Sequence, residues 1–247
     1  MTESFLVNKV LNGIVVYETL KVHNGKPFAV KEHYERFLGS LSYLGEKISY
    51  KQFLCEVENK LEFDRIKIYG IVNNGVTLYS IGEYFEKKKI LDVKVDISKI
   101  RHADPISIPP NFKSLGRADL HLARKRKGEN YDVILLNGQG FVCEGSFSNI
   151  FLVKDGIVYT PSIESGVLEG ITRKYVIEML KEMGYLVRET KIELKELFFA
   201  DELFLTHTSG GIVPVNYLGK YKFETSLSKE LSKSFEEYIN GKISGSF

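Results

Sequence analysis

The distribution of apolar and polar residues along the chain divides it into short elements. Ile14 to Val22 is rich in β-branched and aromatic residues and predicts a strand, and Asn24-Gly25 supplies a turn after it. Lys31 to Gly45 sets Tyr34, Phe37, Leu38, Leu41 and Leu44 at helical spacing. Tyr50 to Leu61 repeats that pattern with Phe53, Leu54, Val57 and Leu61. Strand-like runs follow at Arg65 to Val72, Val76 to Ile81 and Ile90 to Ile97, with Asn73-Asn74-Gly75 as a tight turn between the first two. Together these predict a small α+β domain.

The texture changes between Arg101 and Lys113. Pro105, Pro109 and Pro110, half of the six prolines, fall in this stretch. Proline fixes φ, lacks a donor and restricts its predecessor, so neither a helix nor a central strand is expected here. We read it as the connection between two domains: 1–102, a loop over 103–112, and 113–247. The second domain opens with a helix over Leu115 to Lys127. Tyr131 to Leu136, Phe141 to Glu144, Asn149 to Val153 and Ile157 to Thr160 read as strands, with turns at Asn137-Gly138 and Asp155-Gly156. Gly170 opens a helix carrying Tyr175, Val176, Met179, Leu180 and Met183, and Gly184 is a natural C-cap. A strand over Tyr185 to Ile192, a short helix over Glu193 to Ala200, a strand over Glu202 to Thr206 and an amphipathic tail helix over Ser226 to Ile239 complete the pass. The chain has no internal repeat.

Composition narrows the class. With 247 residues, 43% hydrophobic and 12% aromatic, the chain can build a sizeable core. A formal charge of +2 demands neither nucleic acid nor a membrane as partner. No run of about 18 apolar residues predicts a membrane span, and Met1 to Gly13 does not read as a signal peptide. Cys55 and Cys143 match no metal-ligand spacing, so no metal is expected; reduced thiols in a cytoplasmic protein are.

Familiar phosphate and metal motifs are missing. Gly138-Gln139-Gly140 begins like a dinucleotide fingerprint but reaches Cys143 where the third glycine belongs, and it sits at a hairpin turn. Arg124 to Lys127 reads as the solvated, cation-favouring end of a helix. Four weak features remain. Arg36 lies on the first long helix and alone would be a surface arginine. Lys113 follows the prolines, and a single lysine is usually exposed. Glu144 ends a strand, where a carboxylate is most often a turn residue. Gly170-Ile171-Thr172-Arg173 opens a helix whose free N–H groups and dipole can grip an anion.

In order along the chain these pieces resemble one family. The strings are Val16-Tyr17-Glu18-Thr19-Leu20-Lys21-Val22, Asn24-Gly25, His33-x-x-Arg36, Lys113-Ser114-Leu115, Leu135-Leu136-Asn137 and Gly140-x-Val142-x-Glu144. They continue with Ser148-Asn149-Ile150-Phe151, Tyr159-Thr160-Pro161, Gly170-Ile171-Thr172-Arg173, Ala200-Asp201-Glu202-Leu203-Phe204, and Thr208 ahead of Pro214-Val215. The sequence thereby resembles the class IV aminotransferases, the fold-type IV enzymes of pyridoxal 5'-phosphate (PLP).

The resemblance implies an α/β (α+β) fold of two domains, the smaller N-terminal, with PLP between them. It implies a homodimer, and an amino acid and a 2-oxo acid as substrates. In the family, the lysine matched by Lys113 forms a Schiff base with the cofactor aldehyde and later moves a proton. Burial or a neighbouring cation would help such a lysine lose its charge. The acid matched by Glu144 pairs with the pyridine nitrogen and keeps the ring an electron acceptor. The arginine matched by Arg36 binds the phosphate, Ile171 and Thr172 offer helix N-terminal donors to it, and Thr208 matches a further anchor. Tyr17 matches a position near the substrate, or else is a core aromatic.

Three departures stand out. Gly13-Ile14-Val15 occupies the place of a common Gly-Asp-Gly. Ala118 stands where branched-chain enzymes carry a tyrosine. The loop Asn73-Asn74-Gly75 lacks the arginine and histidine with which D-amino-acid enzymes hold the substrate carboxylate. Val16-Tyr17-Glu18 and Lys113-Ser114-Leu115 lean toward D-amino-acid transaminases, and branched-chain enzymes share most of the motifs. Aminodeoxychorismate lyases share the Lys113 spacing and often carry an arginine where Arg117 stands. A transaminase is expected over a lyase, and over an inactive PLP-binding relative.

Overall fold

The protein is described here by a computed structural model covering residue 10, residues 13–85 and residues 92–244. The expected start of the strand over Ile90 to Ile97, and nearly all of the stretch read for a signal peptide, lie outside the described residues. The chain divides into two compact units. One holds the described part of Met1–Lys87 together with Asn111–Arg117, and the other the described part of Lys88–Pro110 with Ala118–Ser244.

The first unit is a four-stranded sheet in the order β2-β1-β3-β4, formed by β1 (Ile14–His23), β2 (Lys26–Pro27), β3 (Arg65–Val72) and β4 (Val76–Glu83). All its neighbours are antiparallel, and β1 sets Tyr17 opposite Tyr69. Strand geometry sends alternate side chains to opposite faces, so Val16, Glu18, Leu20 and Val22 all point inward. Two helices contribute to the core on that face, α1 (Val30–Ser42) and α2 (Tyr50–Glu58). Phe37, Leu41, Phe53 and Val57 from the helices meet Val16, Leu20, Ile66 and Ile68 from the strands. A capping box between Ser49 and Gln52 starts α2.

Asn111–Arg117 joins this unit for a plain reason. Tyr17 N–H donates to the Lys113 carbonyl at 3.0 Å and Leu115 N–H to the Val15 carbonyl at 2.9 Å, so the segment runs antiparallel beside β1. The expected helix over Leu115 to Lys127 accordingly begins later, as α3 (Ala118–Lys125).

The second unit carries two five-stranded sheets. One runs β10-β9-β8-β11-β12, from β8 (Asn149–Lys154), β9 (Ile157–Pro161), β10 (Val187–Thr190), β11 (Glu202–His207) and β12 (Gly211–Val215). The other runs β14-β13-β5-β6-β7, from β5 (Lys94–Ile97), β6 (Asp132–Leu136), β7 (Val142–Gly145), β13 (Tyr217–Leu218) and β14 (Tyr221–Lys222). Their facing apolar residues, among them Val95, Ile134, Val142, Ile150, Leu203, Leu205 and Val215, make one core. Helices α4 (Ile171–Glu182), α5 (Leu194–Phe198) and α6 (Ser226–Ser244) complete the unit. Glu202 anchors α6 by accepting from Leu227 N–H and Ser228 N–H, both at 2.8 Å, which satisfies two orphan donors of the first turn.

Candidate active site

In the first unit the segment around Lys113 is fixed by its backbone. Lys113 N–H donates to Ser40 Oγ at 3.1 Å, and Ser40 Oγ donates to the Asn111 carbonyl at 3.0 Å. With both ends tied to β1 and α1, the lysine leaves a rigid support. Its Nζ lies 4.5 Å from the centroid of the Tyr17 ring, and Tyr17 stacks on Tyr69 at 6.3 Å. Two of the expected site residues, Lys113 and Tyr17, are thus in contact.

Arg36, on α1, meets β1 at Glu18, the residue that follows Tyr17. Glu18, on the inward face of β1, is fully buried. Arg36 Nε donates to Glu18 Oε1 at 2.7 Å and Arg36 Nη2 to Oε2 at 2.6 Å, a bidentate fork. The buried His33 ring reaches the same carboxylate, Nδ1 to Oε2 at 2.7 Å. Burial alone would raise the Glu18 pKa, but Arg36 and then His33 outweigh it and hold the group well below the usual carboxylate range. His33 moves the other way from most paired histidines. Burial is the largest single cause and pushes its pKa down; Glu18 pulls it up, and the charges of Arg36 and Lys113 push it down again, leaving it lowered. We therefore treat His33 as a neutral ring donating through Nδ1, with Arg36 as the true counter-ion. Glu18 had a sequence signal: an acid on the core face of a strand needs a buried partner, and His33 and Arg36 lie on the helix that covers it.

In the second unit Glu144, at the end of β7, is 5% exposed. Its Oε2 accepts from Leu168 N–H at 3.1 Å and from Asn149 Nδ2 at 3.3 Å. Asn149 Nδ2 also donates to the Leu168 carbonyl at 3.0 Å. These bonds tie the acid to the loop entering α4, so Glu144 and the Ile171-Thr172 helix start belong to one local construction. Oε1 meets His102 Nε2 at 3.0 Å. The helix start itself suits an anion. Gly170 is its N-cap and brings no side-chain cap, and no acid stands in the first turn. Register sets Thr206 opposite Asn149, so Thr208 follows at that same end of the sheet. Its turn is braced by His207, whose Nδ1 accepts from Gly210 N–H at 3.2 Å and whose Nε2 pairs with Tyr131 Oη at 2.7 Å.

Two glycines explain why the motifs read as they do. A Cβ on Gly145 would lie 2.3 Å from both Asp132 Oδ2 and Ser148 Oγ. That space belongs to a buried cage in which Asp132 accepts from Ser146 Oγ at 2.6 Å and Ser148 Oγ at 2.7 Å. Burial raises the Asp132 pKa in spite of those donors. A Cβ on Gly170 would fall 2.0 Å from Asn149 Oδ1. Asn149 cannot yield without releasing Glu144 and Leu168. Gly170→Ala is therefore expected to destabilise the protein by about 1–3 kcal/mol, as overpacking does, read by urea denaturation.

The residues present fit PLP: a lysine on a rigid support, a buried carboxylate with its bonds directed, and a helix start with no side-chain cap and no acid in its first turn. The comparison with known proteins then decides the family. The Amino-transferase class IV model matches residues 15–218. The chain is a class IV aminotransferase. Like its family it is a PLP-dependent transferase that moves an amino group between an amino acid and a 2-oxo acid. A protein from Thermotoga maritima named "Probable branched-chain-amino-acid aminotransferase" is 40% identical over 245 residues, covering 95% of this chain and 89% of the relative. A crystal structure from the same organism, of a candidate branched-chain amino acid aminotransferase, aligns with a TM-score of 0.89 at 38% identity, covering 97% of this chain and 90% of the other. A "D-alanine aminotransferase" from Staphylococcus epidermidis is 25% identical over 251 residues, covering 91% and 88%. The expected fold-type IV architecture is thereby borne out. Among the described residues no helix is long and apolar enough to cross a membrane.

Proposed function

We propose that this aminotransferase acts on branched-chain amino acids, with a 2-oxo acid such as 2-oxoglutarate as acceptor. The observation that carries the reading is the 40% identity, across nearly the full chain, to the Thermotoga maritima protein named for that substrate. The lean toward D-amino acids rested on Val16-Tyr17-Glu18 and Lys113-Ser114-Leu115, and the relative named for D-alanine matches at only 25% identity. Leucine, isoleucine, valine and D-alanine should be offered separately with 2-oxoglutarate or pyruvate. The reading predicts the highest kcat/KM for one of the first three, and a clear preference for D-alanine would refute it.

When bound, PLP supplies an aldehyde for the amino group and a ring that accepts electrons as the substrate's Cα proton leaves. In the roles we assign, Lys113 would hold the aldehyde, and its Nζ would take up the proton from the substrate's Cα and give it back. Glu144 would accept from the ring nitrogen and keep it protonated. Arg36, the N–H groups of Ile171 and Thr172, and Thr208 would hold the phosphate. Tyr17, packed against Lys113, lines the substrate side. Glu144→Ala is expected to keep cofactor binding, since the phosphate anchors are untouched, and to lose most turnover, read by steady-state rates beside the bound-cofactor absorbance. Normal rates in that variant would remove Glu144 from the scheme.

The family resemblance supports a homodimer, to be checked by light scattering of the purified protein. The wide separation of Cys55 and Cys143 in the sequence, with no metal-ligand spacing, supports reduced thiols and a cytoplasmic location.

A further inference from the structure

We propose that His102 is a positioning residue for Glu144: held as an imidazolium between two acceptors, it fixes both the orientation and the negative charge of that carboxylate. The proposal rests on Glu144 being the acid that meets the cofactor's ring nitrogen.

The geometry around the ring carries the argument. His102 is 5% exposed. Its backbone N–H donates to the Leu136 carbonyl at 2.9 Å, which pins the residue beside β6. The next residue is pinned as well, because Ala103 N–H donates to Asp119 Oδ2 at 2.7 Å. Gly166 closes over the imidazole, its backbone near enough that a Cβ there would sit 3.4 Å from Nδ1. The ring therefore has a defined place, and both of its nitrogens face oxygen. Nδ1 lies 3.0 Å from the Ala103 carbonyl, and Nε2 lies 3.0 Å from Glu144 Oε1.

A carbonyl can only accept. A neutral imidazole carries one proton, so either neutral tautomer would aim a nitrogen lone pair at an oxygen lone pair. Two arrangements avoid that clash. Either His102 carries both protons and Glu144 none, or Glu144 carries a proton on Oε1 and gives it to Nε2. The second would leave an acid where an anion is needed. The bonds on the other oxygen favour the first. Leu168 N–H and Asn149 Nδ2 both donate to Oε2, and an oxygen that takes two N–H donors is better served by the charge of a carboxylate than by a neutral acid. The pair is buried and charge-balanced, the condition under which ions persist away from water. In this arrangement His102 stands behind Glu144 as a second partner, holding it in one orientation and ionised.

Protons on the ring can be counted without cofactor. The full chain is prepared as apoprotein with ¹⁵N in its five histidines, and the His102 signals are assigned by their loss in His102→Gln. Two protonated ring nitrogens at neutral pH are expected. One unprotonated, pyridine-like nitrogen on His102 would overturn the proposal; should His102→Gln fold poorly, the same signals are assigned in the native chain by through-bond correlation of the ring to the backbone of residues 102 and 103. In the holoenzyme His102→Gln keeps a donor but removes the charge. It should lower kcat about tenfold, the usual scale for loss of an outer-shell partner, with KM and cofactor affinity near native. Unchanged kcat in that variant would equally overturn it. Failure of the underlying reading is distinguishable: Glu144→Ala would then turn over normally while the proton count on His102 stayed at two.

Discussion

Lys113→Ala is expected to leave the protein folded and to cut transamination about 10³-fold, the scale of a lost proton-transfer group. The two parts of this expectation have separate causes. The fold does not depend on the ammonium, because position 113 is held through its main chain. Ser40 Oγ receives its N–H, and Tyr17 N–H reaches its carbonyl. Alanine retains both bonds, so the melting temperature should stay near native. Activity depends on Nζ alone, since no other side chain is assigned the Cα proton. Absorbance near the visible edge of the ultraviolet from covalently held cofactor should disappear with the lysine, while free PLP added in excess still associates through the phosphate anchors. A variant that kept both this band and full activity would show the wrong lysine had been chosen. Added methylamine offers a further check, because a small amine can partly replace a missing ε-amino group in accepting a proton.

Much of the scaffold behind that lysine was legible from residue order. The run Arg65 to Val72 predicts β3 to the residue and Ile14 to Val22 predicts β1 to within one, because β-branched and aromatic runs bounded by Asn-Gly turns have few competing readings. The start of α4 was legible through Gly170 and its end through Gly184. The start of α3 was not, because the Lys113 carbonyl and the Leu115 N–H bond to Tyr17 and Val15 of β1, partners nearly a hundred residues away. β12 escaped notice because Pro214 lies within it. The strand tolerates proline because it is at the sheet edge, with β11 as its neighbour on one side. The chemistry divides in the same way. Lys113, Arg36, Glu144 and Thr172 are proposed on motif order, whereas His102 sits in the proline-bearing stretch, where no periodicity assigns a face. Its partner Glu144 comes from a strand 42 residues later, and only the folded chain brings the two within 3.0 Å.

Glu18→Ala is expected to cost about 3–5 kcal/mol, the range for breaking a buried ion pair from one side. The loss does not measure a favourable contact so much as the abandonment of its partner. Arg36 would keep its charge in a site where its side chain is 8% exposed, and the nitrogens now donating to Glu18 would lose their acceptor. Glu18→Gln should be milder, because an amide still accepts from one arm of the fork. The pH dependence follows from the two lowered pKa values. For Glu18, the folded state holds the proton less tightly than the unfolded chain. Its contribution is complete above the ordinary value of 4.5 and is lost as pH falls through the depressed one. For His33, also lowered, the folded state again binds the proton more weakly; stability is complete above 6.5 and erodes as pH drops. Urea midpoints taken from pH 7.5 downward should therefore decline in the native protein first below 6.5 and more steeply below 4.5. In Glu18→Gln the second decline should be shallower. A native-like midpoint for Glu18→Ala, or an unchanged acid limb for Glu18→Gln, would mean that the buried fork does not restrain Arg36. The arginine proposed for the phosphate would then need another support.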